Sequence, residues 1–302
     1  MSALVRMALS YAAFFTIYSI STVLACFAGV LIVVGWKNMS LRNTLLSLRY
    51  NAVYIILLAA FPLVIQIQDI AERAVTGPGE VLKEIHYTNW IFSVAGSAVA
   101  VLQDRLNYAI VTDLFAIAYV WVFTFLTYFA PILLLSKDDR TTLRTYAIAV
   151  ILNYVVLTPF YLLFPVSVTS SHVAAEMTPL LYADPHWGKM VTSVDPLNND
   201  FPSGHVSLST TTFLVFVYAG TQYRRFSYFL GGATVAIVFA VLYLGIHWPA
   251  DVFAGFVVAV AATVAARSDK VQMTVDRYVR RVSRWLFKDL ETQTLSPKQQ
   301  SP

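Results

Sequence analysis

Two short runs, Phe201-Pro202-Ser203-Gly204-His205 and His247-Trp248-Pro249-Ala250-Asp251, sit at the ends of apolar segments separated by roughly two membrane crossings. Residues of these types at this spacing bring two imidazoles and a carboxylate to one membrane face. That is equipment for moving a phosphoryl group without a metal. Pro202 ahead of a first turn and Gly204 within it make a tight entry into a helix. The unpaired N–H groups and the positive dipole end of such a turn favour an anion. There Gly204 lets a phosphate oxygen approach the backbone, Ser203 offers a hydroxyl donor, and His205 can give a proton to a leaving oxygen. Asp251 follows His247 by four residues, so in a helical turn its carboxylate reaches back to the imidazole. That contact fixes the ring tautomer and leaves the other nitrogen free as a nucleophile. A lone histidine at a span end is an ordinary interfacial residue; two of them with the Pro-Ser-Gly frame on one face are read as a site.

The elements that must hold these residues follow from composition. The chain of 302 residues is 58% hydrophobic and 13% charged, with a mean hydropathy of +0.64. That excludes an ordinary soluble domain and predicts an integral membrane protein. A crossing helix needs about 20 mostly apolar residues. Seven segments qualify or nearly do: Leu9–Trp36, Asn51–Gln68, Tyr108–Leu135, Leu143–Val166, His205–Thr221, Ser227–Ile246 and Pro249–Ala266. Leu9–Trp36 reads as a retained span rather than a signal peptide. Ile91–Leu102, about 18 Å long as a helix, is too short to cross and reads as re-entrant or interfacial. The single cysteine, Cys26, excludes an intramolecular disulfide and a cysteine metal site.

Charge gives the expected orientation. Alternate loops carry Lys37, Arg42 and Arg49, then Lys137, Arg140 and Arg144, then Arg224 and Arg225, and the segment after Ala266 adds eight more, so one face holds 16 of the 21 basic residues. The positive-inside rule then predicts an N-terminus outside and a cytoplasmic tail. Val271, Val275, Tyr278, Val279, Val282 and Leu286 recur at helical spacing among arginines, which predicts an amphipathic helix on the cytoplasmic leaflet. Ser167–Phe201 reads as the longest non-helical connection, on the outer side with all five histidines.

FPSGH followed by HxxxD resembles the second and third signature motifs of the type 2 phosphatidic acid phosphatase superfamily. The resemblance implies an all-α integral membrane fold with a six-helix phosphatase-type core and one extra N-terminal transmembrane helix, about seven spans in all. It divides the chain into 1–50, the extra helix and a cytoplasmic loop; 51–266, the membrane core; and 267–302, a basic amphipathic tail. It also implies His247 as nucleophile, Asp251 as its carboxylate partner and His205 as acid, with no metal and no cofactor. Two departures stand out. The arginine expected six residues before the nucleophile is Val241, and the place of the basic first motif is Phe164-Pro165-Val166-Ser167. The sphingolipid-synthase-like branch shares both features but favours leucine where this chain has Gly204. A phosphate still needs cationic partners, and the outer side offers Lys189, Arg105, Lys83 and Arg73, of which Lys189 and Arg105 stand nearest the motifs and spans. Asp195, Asn198, Asn199 and Asp200 read equally as headgroup ligands or as turn-formers before Pro202.

The expected activity is metal-independent hydrolysis of a lipid phosphate or polyprenyl diphosphate at the extracytoplasmic face, by default of the plasma membrane. Transfer of a phospho-headgroup to an alcohol is the enzymatic alternative, and a lipid transporter or scramblase the alternative of another class. The bilayer is the expected partner; nucleic acid is not, and oligomeric state is left open.

Overall fold

A computed structural model of the chain describes residues 10–60, 63, 67, 78–95, 98–106, 108–173, 177–192, 197 and 199–286. Among them the structure is helical, with no strand beyond an isolated bridge between Val166 and Asn199. The helices are α1 Tyr11–Val34, α2 Leu41–Tyr50, α3 Ala52–Ala60, α4 Pro78–Ala95, α5 Ala98–Arg105, α6 Ala109–Ser136 and α7 Arg140–Leu163. Two short turns follow, α8 Thr169–His172 and α9 Trp187–Thr192, then α10 Gly204–Tyr218, α11 Arg224–Tyr243, α12 Pro249–Ala266 and α13 Asp269–Leu286. Five helices are long and apolar enough to cross a bilayer, or up to seven spans if each of two bent pairs counts as one. The protein is an all-α integral membrane protein.

α10 is the post around which the bundle is built. It packs against α6, α7, α11 and α12. At 15 residues it is about 22 Å long, yet every residue from Val206 to Thr212 is buried by neighbouring helices rather than by lipid. Such a position in hydrocarbon demands internal partners for each polar group. Ser209 and Thr212 donate to the carbonyls of His205 and Leu208, one turn back. Asn153 of α7 donates to Ala149 and to the Thr211 hydroxyl, and accepts from Ser207. Small residues let the partners approach: a Cβ on Gly255 of α12 would stand 2.7 Å from the carbonyl oxygen of Ser203.

The structure adds detail to three segments. Ala52–Ala60 is helical where the segment Asn51–Gln68 is expected to begin, but Leu41–Tyr50 ahead of it is itself a helix, capped by Ser40, and meets it at 74°. Most of the remainder of Asn51–Gln68 lies outside the described residues, as do Arg73, Asp195 and Asn198. Ile85–Val94 and Ala98–Arg105 form a second pair bent by 71°, so the apolar stretch Ile91–Leu102 straddles a break. The connection Ser167–Phe201 contains two helical turns, α8 and α9, because its apolar residues Val168, Leu181, Trp187 and Met190 pack into the bundle.

The helix at 269–286 has the predicted stripe, but Val271, Val275 and Val279 rest partly on the protein's own basic end. Arg144 of α7 pairs with Asp276 at 3.0 Å and donates to Gln272, and Tyr54 of α3 donates to Asp276. Asp139, Lys137 and Tyr223 meet at the same end.

Asn153→Ala is expected to lower the unfolding free energy by about 1–2 kcal/mol, since Ser207 and Thr211 then lose their shared partner inside the bundle. Thermal unfolding of the purified protein in detergent measures this, and an unchanged midpoint would mean that the α7–α10 contact does not need the amide.

Candidate active site

α11 ends and α12 begins in a five-residue link, Leu244–Trp248, whose backbone is fixed from several sides. The N–H groups of Ile246 and His247 both donate to the carbonyl of Val241. Gly245 turns with φ of +75°, a conformation that disfavours a side chain, and a Cβ there would strike Ser170 at 2.8 Å. Thr169 and Ser170, opening α8, donate to the carbonyls of Ile246 and Gly245. Trp248 is wholly buried and its indole N–H donates to Ser167. His247 is thereby presented at the start of α12 with 3% of its surface exposed.

Asp251 occupies the first turn of α12. Its Oδ2 accepts the Trp248 N–H at 2.8 Å, while its own N–H donates to the Trp248 carbonyl, a reciprocal cap. The same Oδ2 lies 3.4 Å from Nδ1 of His247. The imidazole edge beyond Nδ1 carries Nε2, so the carboxylate faces the ring from behind, with Nε2 on the far edge.

A second carboxylate shares that side. Oδ1 of Asp200 is 3.9 Å from His247 Nδ1, and Asp200 is 2% exposed. Its backbone N–H donates to Val166, and Val168 donates to Leu197, so the run Phe164–Ser167 braces the loop ahead of Pro202. Donor atoms of Asp200, His247 and Asp251 fall within 4.8 Å of one another, a set able to hold a cation. The expectation of no metal-ligand cluster considered only residues close in sequence; the fold adds Asp200 to the pair.

His205 stands in the first turn of α10, its ring centroid 6.4 Å from that of His247. Tyr119 stacks on it at 4.2 Å and 23°, and Phe123 lies at 4.2 Å on a tilt. Tyr119 lies in the π-helical stretch Ile117–Val122 of α6 and Phe123 directly follows it, and such bulges often mark functional positions. Ser203 caps α10, its hydroxyl oxygen accepting the Val206 N–H. Its N–H donates to the Asp251 carbonyl at 3.0 Å, which binds the starts of α10 and α12 together. Tyr161 donates to the Pro202 carbonyl, and a Cβ on Gly204 would stand 2.7 Å from the Tyr161 hydroxyl. Glycine at 204 therefore makes room for a tyrosine, in addition to any approach by a ligand.

Both imidazoles open onto one cavity of about 970 Å³. Asn199, Gly204, Tyr161 and Tyr119 line it near the histidines, and mostly apolar side chains of α1, α6 and α7 line the rest. Among the described residues its lining contains no lysine or arginine. Lys189 is exposed on α9 with its Nζ 4.6 Å over the ring of Tyr11, and Arg105 is exposed at the end of α5. The structure thus gathers His205, His247, Asp251, Ser203 and Gly204 at one end of the bundle, and sets Lys189 and Arg105 outside the cavity. Tyr119, Phe123 and Tyr161 were not singled out from sequence; aromatics on apolar helices carry no signal that separates a histidine's neighbour from ordinary core.

Two imidazoles facing one cavity, one backed by carboxylates and one at a helix start, can serve nucleophile and proton donor to the same phosphorus. Comparison with curated proteins and with solved structures gave no match. A family model described as PAP2 superfamily does match residues 171–272, the stretch that carries both motif runs, α10, α11 and α12, and this is consistent with the type 2 phosphatidic acid phosphatase superfamily.

Proposed function

We propose that this protein is a metal-independent membrane phosphatase acting on a lipid phosphate or polyprenyl diphosphate at the extracytoplasmic face. One observation carries the reading: two imidazoles 6.4 Å apart head adjacent helices and share a single, mostly apolar cavity. A nucleophile must come within about 3–3.5 Å of phosphorus, and an acid within hydrogen-bond reach of the leaving oxygen. One phosphate between the rings meets both demands. Nε2 of His247 attacks phosphorus, the bond from phosphorus to the lipid oxygen breaks, and His205 gives that oxygen its proton. Asp251, with Asp200 beside it, steadies the imidazole that carries the phosphoryl group. Water, deprotonated by His205, then displaces the histidine and leaves as part of inorganic phosphate. The first-turn N–H groups of α10 oppose the phosphate charge in a cavity whose lining, among the described residues, has no lysine or arginine. The outer-face assignment is supported by the collection of Lys137, Arg140, Arg144, Arg224 and Arg225 at the opposite end of the bundle.

His247→Ala is expected to remove phosphate release by more than about 10³-fold, and His205→Ala by roughly 10²–10⁴-fold, with unfolding midpoints retained. Asp251→Asn and Asp200→Asn should each cost less than His247→Ala. Wild-type rates in either histidine variant, assayed by phosphate release from phosphatidate and polyprenyl diphosphates, would end the assignment. Inclusion of an alcohol that diverts phosphate from water would turn the reading from hydrolysis to transfer.

Activity is expected to persist in excess EDTA. Loss under EDTA, reversed by a divalent cation and absent in Asp200→Asn, would assign Asp200, His247 and Asp251 to a metal instead.

A further inference from the structure

The cavity continues well past what a phosphate needs. From the histidines it runs along one stripe of α1, through Phe15, Thr22, Cys26 and Val30, and along α6 from Phe123 to Ser136. It reaches Met39, Ser40, Leu41 and Thr44, where α1 gives way to α2. The span of α6 that lines it is about 20 Å long. A saturated chain with bonds of about 1.5 Å advances roughly 1.25 Å per carbon, so about 16 carbons lie end to end in that length.

No candidate catalytic residue lies on α1, whose inner face packs chiefly on α6 while most of its other side is exposed apolar surface. Its site end is gripped by Trp187 at the start of α9 and by His186 just before it, both against Phe14. The walls are aliphatic and aromatic, with hydroxyls of Thr22, Thr124 and Thr127 between them. Thr124 and Thr127 donate to carbonyls one turn back and Thr22 to Tyr18, so these hydroxyls are spent on the helices themselves and suit a hydrocarbon occupant.

We infer that α1 and the start of α2 form the wall and floor of a channel for the substrate's hydrocarbon chain, and that Leu41, Thr44 and Ser136 set the longest chain accepted. This deepens the lipid-phosphatase reading and rests on it for the identity of the head. The channel makes chain length, not headgroup charge, the main determinant of specificity. Cys26, the only cysteine of the chain, stands midway along the wall.

The test uses purified full-length protein and a series of alkyl monophosphates shorter than, equal to and longer than the channel. For the wild type, kcat/KM rises with chain length and levels off once the channel is full. In Cys26→Trp the ratio of kcat/KM for long over short chains falls by at least about tenfold, whereas Thr44→Trp lowers it only for the longest. A readout without turnover comes from the His247→Ala protein: long alkyl phosphates protect Cys26 from an apolar maleimide and short ones do not. Equal losses at every chain length in both tryptophan variants, or an unaltered length profile, overturn the channel. Length-dependent protection of Cys26 without phosphate release from any lipid phosphate by the wild type upholds the channel and removes the phosphatase.

Discussion

The hydrogen bond from the Ser203 N–H to the Asp251 carbonyl joins the starts of two helices that run in the same direction and lie side by side. Because it links backbone to backbone, it sets how far apart α10 and α12 begin, and therefore how far apart His205 and His247 stand. Gly255 permits the close approach, since a Cβ there would stand 2.7 Å from the Ser203 carbonyl oxygen. Asp251 then serves two structures at once: its carbonyl holds α10, and its carboxylate caps α12 while facing the imidazole of His247. A change at this residue reaches the helix start and the ring together.

The membrane setting explains why so much of the site is built from backbone. Each unpaired polar group in hydrocarbon costs several kcal/mol, so irregular chain is tolerated only where protein satisfies it. The link Leu244–Trp248 is satisfied by Val241, Thr169 and Ser170, and the loop before Pro202 by Val166. Val241 and the run Phe164–Ser167 are the two places where the resemblance leads one to expect basic residues. Here one supplies a carbonyl that accepts from Ile246 and His247, and the other braces Asp200 and accepts the Trp248 indole.

Much of this was legible before any coordinates. Apolar length and the spacing of basic residues predict membrane helices, and motifs that begin helices of the same direction place their histidines at one end. Asp200 was legible only as an ambiguous member of a polar run, because nothing in its spacing from His247 reveals that Val166 pins it there. The helix Leu41–Tyr50 was hidden by its arginines, which read as loop charge although Ser40 caps a regular turn. Tyr161 was hidden behind Gly204, whose glycine has a steric reason that only the neighbour discloses. Lys189 attracted notice by proximity in sequence, yet an aromatic ring on α1 takes its ammonium.

Among the described residues the lining holds no lysine or arginine, which has a consequence for the end of the proposed cycle. Fixed cations that clasp a phosphate tightly also hold it after the lipid has gone, and release then limits turnover. Helix starts and imidazoles that discharge their proton bind the free anion weakly, so the emptied site clears itself and retains the lipid alcohol longer than the phosphate.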